Sequence, residues 1–242
     1  MISAEYVPML KGVGDTRPLA LIEVMERILP QDRLDYTVSP DGNPIPVQSR
    51  EALLRTEALK GEIPLVCNGN EDRLVSVSGH SIPPILAPGS VPILDVIITL
   101  PEIPDYYSRA DEILQRTCEL MDAYWGVESP DETAATIGAQ TFFPWAPSEP
   151  PLGLPPLRPP QQLSSPALPY HFGWLNYWSS EAARIIGFFS NLRDLEWFAG
   201  YRKGSNGGWL LKLTESPLDL RKPEHLLKLK EAYARFPKIG RG

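Results

Sequence analysis

Ten of the chain's 27 prolines stand between residues 144 and 169. Proline lacks a backbone donor and fixes φ, so no helix interior or central strand survives at that density. The segment is therefore expected to run as an extended, polyproline-like connector across the surface. It divides the 242 residues into an N-terminal part (1–143), the connector (144–170) and a C-terminal part (171–242), all within one expected domain. A chain of this length buries a sizeable core. Its prolines, about twice the ~5% average, predict much loop and modest regular structure. PxxP spacing occurs at Pro144 to Pro147 and at Pro156 to Pro159. Crowded prolines produce that spacing by chance; the sharper reading is a ligand presented to a partner domain.

Apolar periodicity and turn residues outline the remainder. A strand is expected at 6–10, turned by Gly12, Gly14 and Asp15. A helix follows over 19–29, with Pro18 in its first turn and Ile22, Met25 and Leu29 on one face. Residues 34–38 alternate as a half-buried strand before the turn signal at 40–43. Ser49 is placed to cap a helix that Gly61 ends. Strands at 65–67 and 74–78 flank a turn, and the apolar run 92–100 reads as a buried strand. The spacing of Ile113, Leu114, Cys118, Met121 and Trp125 predicts a helix over 106–125. Ser129-Pro130-Asp131-Glu132 has the pattern of a capping box opening a shorter helix. Past the connector, Ser179 caps a helix over 181–186, a second helix spans 192–201, a strand lies at 209–213, and Pro223 starts the last helix. The sum is an α+β domain.

Chemistry-bearing motifs are sparse. None of His80, His171 and His225 lies in HExxH or has a second ligand at i+3 or i+4, and GxSxG, the P-loop and a complete GxGxxG do not occur. Gly12-Val13-Gly14 and Gly204 to Gly208 read as turns. No catalytic residue, metal site or cofactor is expected. Cys67 and Cys118 lie far apart and outside any CxxC, which suits buried free thiols better than a disulfide. The opening residues lack a cationic segment followed by an apolar run, and no stretch of ~18 apolar residues occurs. The expectation is a cytoplasmic protein with no membrane span.

Charge is more informative. The chain carries a net −7, which disfavours direct nucleic-acid binding. Between Glu102 and Glu132 nine acidic residues face only Arg109 and Arg116, a net of −7 that equals the charge of the whole chain. Residues 221–241 hold seven basic residues against Glu224 and Glu231. The bland reading is two solvated helix faces. The functional reading is an acidic surface for a basic partner, built from Asp105, Asp111, Glu112, Glu119, Asp122, Glu128, Asp131 and Glu132, which would speed encounter and set orientation. The aromatic cluster His171, Trp174, Tyr177 and Trp178 is either core at the connector junction or an interface.

Those aromatics also carry a resemblance. His171-x-Gly173-Trp174-Leu175-Asn176-Tyr177-Trp178-Ser179, then Gly207-Gly208-Trp209-x-x-x-Leu213-Thr214-x-x-Pro217, then Pro223-Glu224-His225-Leu226, resemble the C-terminal half of immunity protein 52-like sequences of bacterial polymorphic toxin systems. Lys222 stands where that pattern has Asn or Lys. Together with Met25-Glu26, Pro64 to Gly69 and Tyr124-Trp125-Gly126, the pattern is more similar still to a related bacterial family of unknown function. The likeness covers nearly the whole chain except the connector, which is longer here. It implies helices packed on a mostly antiparallel sheet, and an antidote that binds a cognate secreted toxin, often a nuclease. The acidic surface is inferred from charge alone: a nuclease domain must be basic to hold phosphate. Two other classes stay open, a hydrolase with a cleft near His171 and a scaffold presenting the proline segment.

Overall fold

The apolar run predicted at 92–100 is β6 (Ile93–Thr99), with Ile93, Leu94, Val96 and Ile98 fully buried. In the computed structural model, which describes residues 2–12, 14–141, 150–188 and 193–241 and only the backbone of 2–5 and 193, it lies between two partners. One is β5 (Ser76–Ile82), paired along its full length; the other is β1 (Ile2–Pro8). Outward from β5 come β4 (Ile63–Cys67), β2 (Tyr36–Val38) and β3 (Pro44–Pro46). Outward from β1 come β7 (Trp125–Glu128), β8 (Leu175–Trp178), β10 (Trp209–Lys212) and β9 (Gly200–Lys203). Every pairing between these strands is antiparallel. Six strands and four strands thus form two blocks, and the short β1–β7 pairing, Ile2 opposite Glu128 and Ser3 opposite Val127, joins them into one sheet. The fold is α+β, as expected, and the sheet runs unbroken from the N-terminal to the C-terminal part.

Helices α1 (Arg17–Ile28), α2 (Arg50–Ala58) and α3 (Pro104–Leu120) pack together along the sheet, α3 lying against β1, β7 and β8. α4 (Asp131–Gly138), α5 (Ser180–Ile186), α6 (Arg193–Trp197) and α7 (Pro223–Arg235) complete the set. The caps at Ser49 and Ser179 form as expected, each hydroxyl accepting from the N–H three residues on (3.2 and 3.1 Å).

Several boundaries differ from the sequence reading, each for a tertiary reason. β1 begins earlier than residue 6 and ends at Pro8. Helix α3 stops at Leu120, because Asp122 takes a left-handed φ of 55° and the Ala123 N–H turns back to the Cys118 carbonyl (2.9 Å). Trp125 therefore begins β7 and is not on the helix. The pair Pro44 and Pro46 sits in a strand after all, at the sheet edge, where a missing donor breaks no interior ladder. The helix expected over 192–201 is the short α6, since Gly200 already pairs with Lys212 in β9–β10; residue 192 lies outside the described residues. Ser129 does not cap α4. Its hydroxyl accepts the Trp174 N–H (3.0 Å), and the Glu102 carboxylate reaches the first N–H of α4, that of Asp131, in its place.

The connector is not a loose strap. Leu154, Leu157, Leu163, Ala167 and Leu168 are buried, Leu157 N–H donates to Gln140 O (2.9 Å) and Arg158 N–H to Gly240 O (2.9 Å). In the second PxxP, Leu157 and Pro159 are turned inward; Pro144 and Pro147 lie outside the described residues. Both cysteines are buried free thiols. None of the described helices is long and apolar enough to cross a membrane.

One polar clamp ties the layers together. The Arg17 guanidinium donates to Asp15 (Nη2–Oδ2 2.7 Å) and to the carbonyls of Pro8, Met9 and Met121 (3.2, 2.9 and 3.1 Å), linking the end of β1, the start of α1 and the end of α3. Burial alone would raise the Asp15 carboxyl; bonds from the Arg17 side chain and the Lys11 and Arg17 N–H groups outweigh it and hold it at about 2. Arg17→Lys keeps the charge and loses the planar fork. It should destabilise the protein by about 2–3 kcal/mol in chemical denaturation, because buried carbonyls lose their donors.

Candidate functional site

The resembling motif folds as framework. Trp174, Tyr177 and Trp178 are buried, and His171 is half-buried with its ring edge-on to Trp125 (centroids 5.7 Å). Trp174 Nε1 donates to Thr214 O (2.8 Å), and its carbonyl accepts from Leu213 N–H (2.8 Å). Asn176 closes the entry to β8 by bonding both Gly173 N–H (2.9 Å) and Gly173 O (3.0 Å). A Cβ on Gly173 would stand 2.7 Å from the Glu128 carbonyl, and one on Gly208 would run into the Tyr177 ring. Glycine is required at both by close approach. Tyr177 Oη meets Asn206 in the β9–β10 turn (2.7 Å from Asn206 Nδ2), and burial drives its phenol well above the ordinary range. These aromatics are core.

The histidines occupy three separate places. His80 is exposed on β5 with Nε2 3.9 Å from Asp95 Oδ2, beyond a hydrogen bond. His225 Nδ1 accepts the Asp219 N–H (3.0 Å) at the start of α7. No group of three His, Cys, Asp or Glu among the described residues is arranged to hold a metal ion. Cys118 is buried on α3 and its thiol is pushed far up by desolvation, so it is inert.

The acidic run does not form one face; it splits in two. Towards the C-terminal end of α3, Asp111, Glu112 and Glu119 line hollows of ≈440 and ≈360 Å³ beside α1 and the β9–β10 hairpin. Arginines alternate with them: Asp111 pairs with Arg202 (3.5 Å), and Glu119 lies 3.8 Å from Arg116. Glu119 is also committed to the hairpin, accepting from Gln115 Nε2 (2.8 Å) and Ser205 N–H (3.1 Å). Asp122 is exposed in the turn that ends α3. This end is mixed in charge.

The other end gathers Glu102, Asp105, Glu128, Asp131 and Glu132. Asp105 lies exposed in the first turn of α3, and Asp131 and Glu132 open α4, both exposed, with Glu132 3.7 Å from Arg221. Glu102 stands at the junction, capping α4. Glu128, the last residue of β7, is not on the surface: it is 3% exposed, and its Oε2 has no hydrogen-bond partner among the described residues. It forms the floor of a crevice of ≈10 Å³ walled by Leu100, Pro101, Glu102, Tyr106, Tyr107 and Ala110. Burial lifts its carboxyl to about 8; the amino-terminal charge opposes this, while Glu102 and Asp131 add to it. The Tyr107 hydroxyl is likewise pushed up to about 12, first by burial and then by Glu102, Glu128 and Asp131. At neutral pH Glu128 therefore holds a proton.

The burial of Glu128 and the role of Tyr107 are not visible in the sequence. A four-residue strand, Trp-Gly-Val-Glu, is buried at every position: β1 and β8 pair along its edges and α3 packs against it. So short a run carries no periodicity of its own.

The family model for DUF5953, a domain of unknown function, matches residues 13–242. The chain belongs to the DUF5953 family. Membership of a family of unknown function agrees with the closer of the two resemblances. No curated protein matches the chain in sequence. In structure the DUF5953 chain is similar to the Pseudomonas aeruginosa T6SS protein PA0821, with a TM-score of 0.53 and 10% identity over 97% of this chain and 72% of that one. A likeness at that identity establishes a shared fold.

Proposed function

We propose that this DUF5953 chain is an immunity-type protein of the cytoplasm: it binds and neutralises a cognate secreted toxin, a basic nuclease domain, without turnover or cofactor. The observation that carries the reading is the carboxylate cluster at the junction of β6, α3, β7 and α4. There Glu102 and Asp131 stand over the buried Glu128, with Asp105 and Glu132 in the flanking first helical turns. Negative charge so concentrated at one end of a chain of net −7 gives the long-range attraction and orientation that a basic partner would meet. A fold neighbour named as a T6SS protein and the resemblance to immunity protein 52-like sequences support the same context. The acidic end of α3, where Arg221 lies 3.7 Å from Glu132, is the better candidate face than the hollows, where Asp111 and Glu119 lie 3.5 and 3.8 Å from arginines.

The test is co-expression with the product of the adjacent open reading frame, followed by size-exclusion chromatography and growth rescue. A salt-sensitive complex with rescue is expected. Two folded proteins eluting separately, without rescue, would remove the reading. Within such a complex, reversing Asp105, Asp131 and Glu132 to lysine should lower the association rate about 10-fold or more at low salt. Reversing Asp111 and Glu112 should change it far less. Stopped-flow association at several salt concentrations, with circular dichroism as the folding check, separates the two ends of α3.

A further inference from the structure

We propose that the crevice between α3 and the end of β7 is a receptor for one primary ammonium group, a lysine side chain of the bound partner, with Glu128 as its counter-ion. This deepens the reading above by naming the residue class that the acidic end accepts.

Three observations meet at this point. The first is a carboxylate that is 97% shielded, lines a small crevice, and has no hydrogen-bond partner for Oε2 among the described residues. A buried polar atom left unsatisfied calls for an explanation, since the arrangement is otherwise destabilising. The second is sign. The groups acting on Glu128 are Glu102 from the loop before α3 and Asp131 from α4, with the amino-terminal charge opposing them; Tyr107 of α3 feels the same carboxylates. The third is size and lining. A void of ≈10 Å³ is about the room one water-sized group needs. It accepts a compact ammonium head and excludes a planar guanidinium. Leu100, Pro101, Ala110 and the rings of Tyr106 and Tyr107 form apolar walls, the surface along which a lysine's methylene stem can lie.

Glu128 enters as the neutral acid, its pKa lifted to about 8. On receiving R–NH3+ it becomes the carboxylate of an ion pair, and its proton leaves to solvent. Binding near neutral pH thus releases up to one proton, and the pair gains strength from exclusion of water.

The experiment uses the full chain with glutamate labelled at Cδ, and follows the Glu128 carboxyl titration by carbon NMR. The added salts are n-butylammonium, n-propylguanidinium and tetramethylammonium chlorides at matched ionic strength. Butylammonium should lower the Glu128 midpoint by half a pH unit or more and shift the Tyr107 ring signals. Tetramethylammonium, which cannot donate a hydrogen bond, should do neither. Glu128→Gln, isosteric with the protonated acid, should lose the Tyr107 response. No shift with butylammonium, or equal shifts with all three salts, would overturn the ammonium receptor; an equal response to propylguanidinium would overturn its selectivity for lysine. No toxin is needed, so failure of the co-expression test would leave these results standing, and the reverse holds as well.

Discussion

Trp178→Ala should lose about 4–5 kcal/mol of stability, at the upper end for removal of a large core side chain. Trp178 is fully buried, and its ring packs against Phe188 (centroids 5.1 Å), Phe236 (5.4 Å), Phe172 (5.9 Å) and Phe198 (6.0 Å), mostly edge to face. Those four rings come from the lead-in to β8 and from segments next to α5, α6 and α7, so one side chain joins the C-terminal helices to the sheet. It also stands in register between Trp125 of β7 and Trp209 of β10. Each aromatic pair adds about 0.5–1.5 kcal/mol beyond area burial, and no neighbour can collapse into the space. Against a whole-domain stability of about 5–15 kcal/mol, the loss brings the chain near its limit. Urea denaturation should show a lower midpoint at unchanged slope. Trp178→Phe provides the control. The indole Nε1 has no hydrogen-bond partner among the described residues, so the phenyl ring loses volume only and should cost about 1–2 kcal/mol. Equal losses for the two variants would mean that the N–H is engaged after all.

What could be read from the sequence was local. Ser49 and Ser179 cap because their targets lie three residues away, Pro223 opens α7, and the run over 92–100 becomes a strand because it is apolar throughout except at Asp95 and Thr99. What escaped was decided by distant chain. Ser129 has the pattern of a cap, yet the Trp174 N–H, 45 residues on, takes its hydroxyl, and Glu102 caps α4 from 29 residues upstream. Trp125 falls on the helical period of Ile113, Cys118 and Met121 by coincidence, since the left-handed Asp122 intervenes. β9 was hidden because its pattern is that of an exposed edge strand, with Tyr201, Arg202 and Lys203 all facing solvent. The candidate site was half legible. Nine carboxylates between Glu102 and Glu132 announce charge, but a linear run cannot say that Arg202 of β9 answers one end of it. Nor can it say that one of the nine, Glu128, turns inward.

That inward carboxylate sets the second large effect, on the dependence of stability on pH. Glu128 titrates at about 8 in the folded protein against 4.5 unfolded. Between these values the native state holds a proton that the unfolded state has released, so stability falls as pH rises, by about 1.4 kcal/mol per pH unit from this group. Below 4.5 both states are protonated and above 8 both are ionised, so the slope vanishes outside the window. The sign is opposite to that of Asp15, which is held at about 2 and whose contribution is lost only as pH falls from 3.8 towards 2. Glu128→Gln removes the titration and keeps the shape. At pH 5 the variant should be equal to the native protein or slightly weaker, because a buried amide brings donors that need partners. At pH 8 it should be the more stable by about 2 kcal/mol or more, because up to that pH the native protein holds a proton that the unfolded chain has released. The two stability–pH curves should cross between those values in thermal or urea melts. Parallel curves would mean that Glu128 ionises normally, and that the crevice over it is open to water.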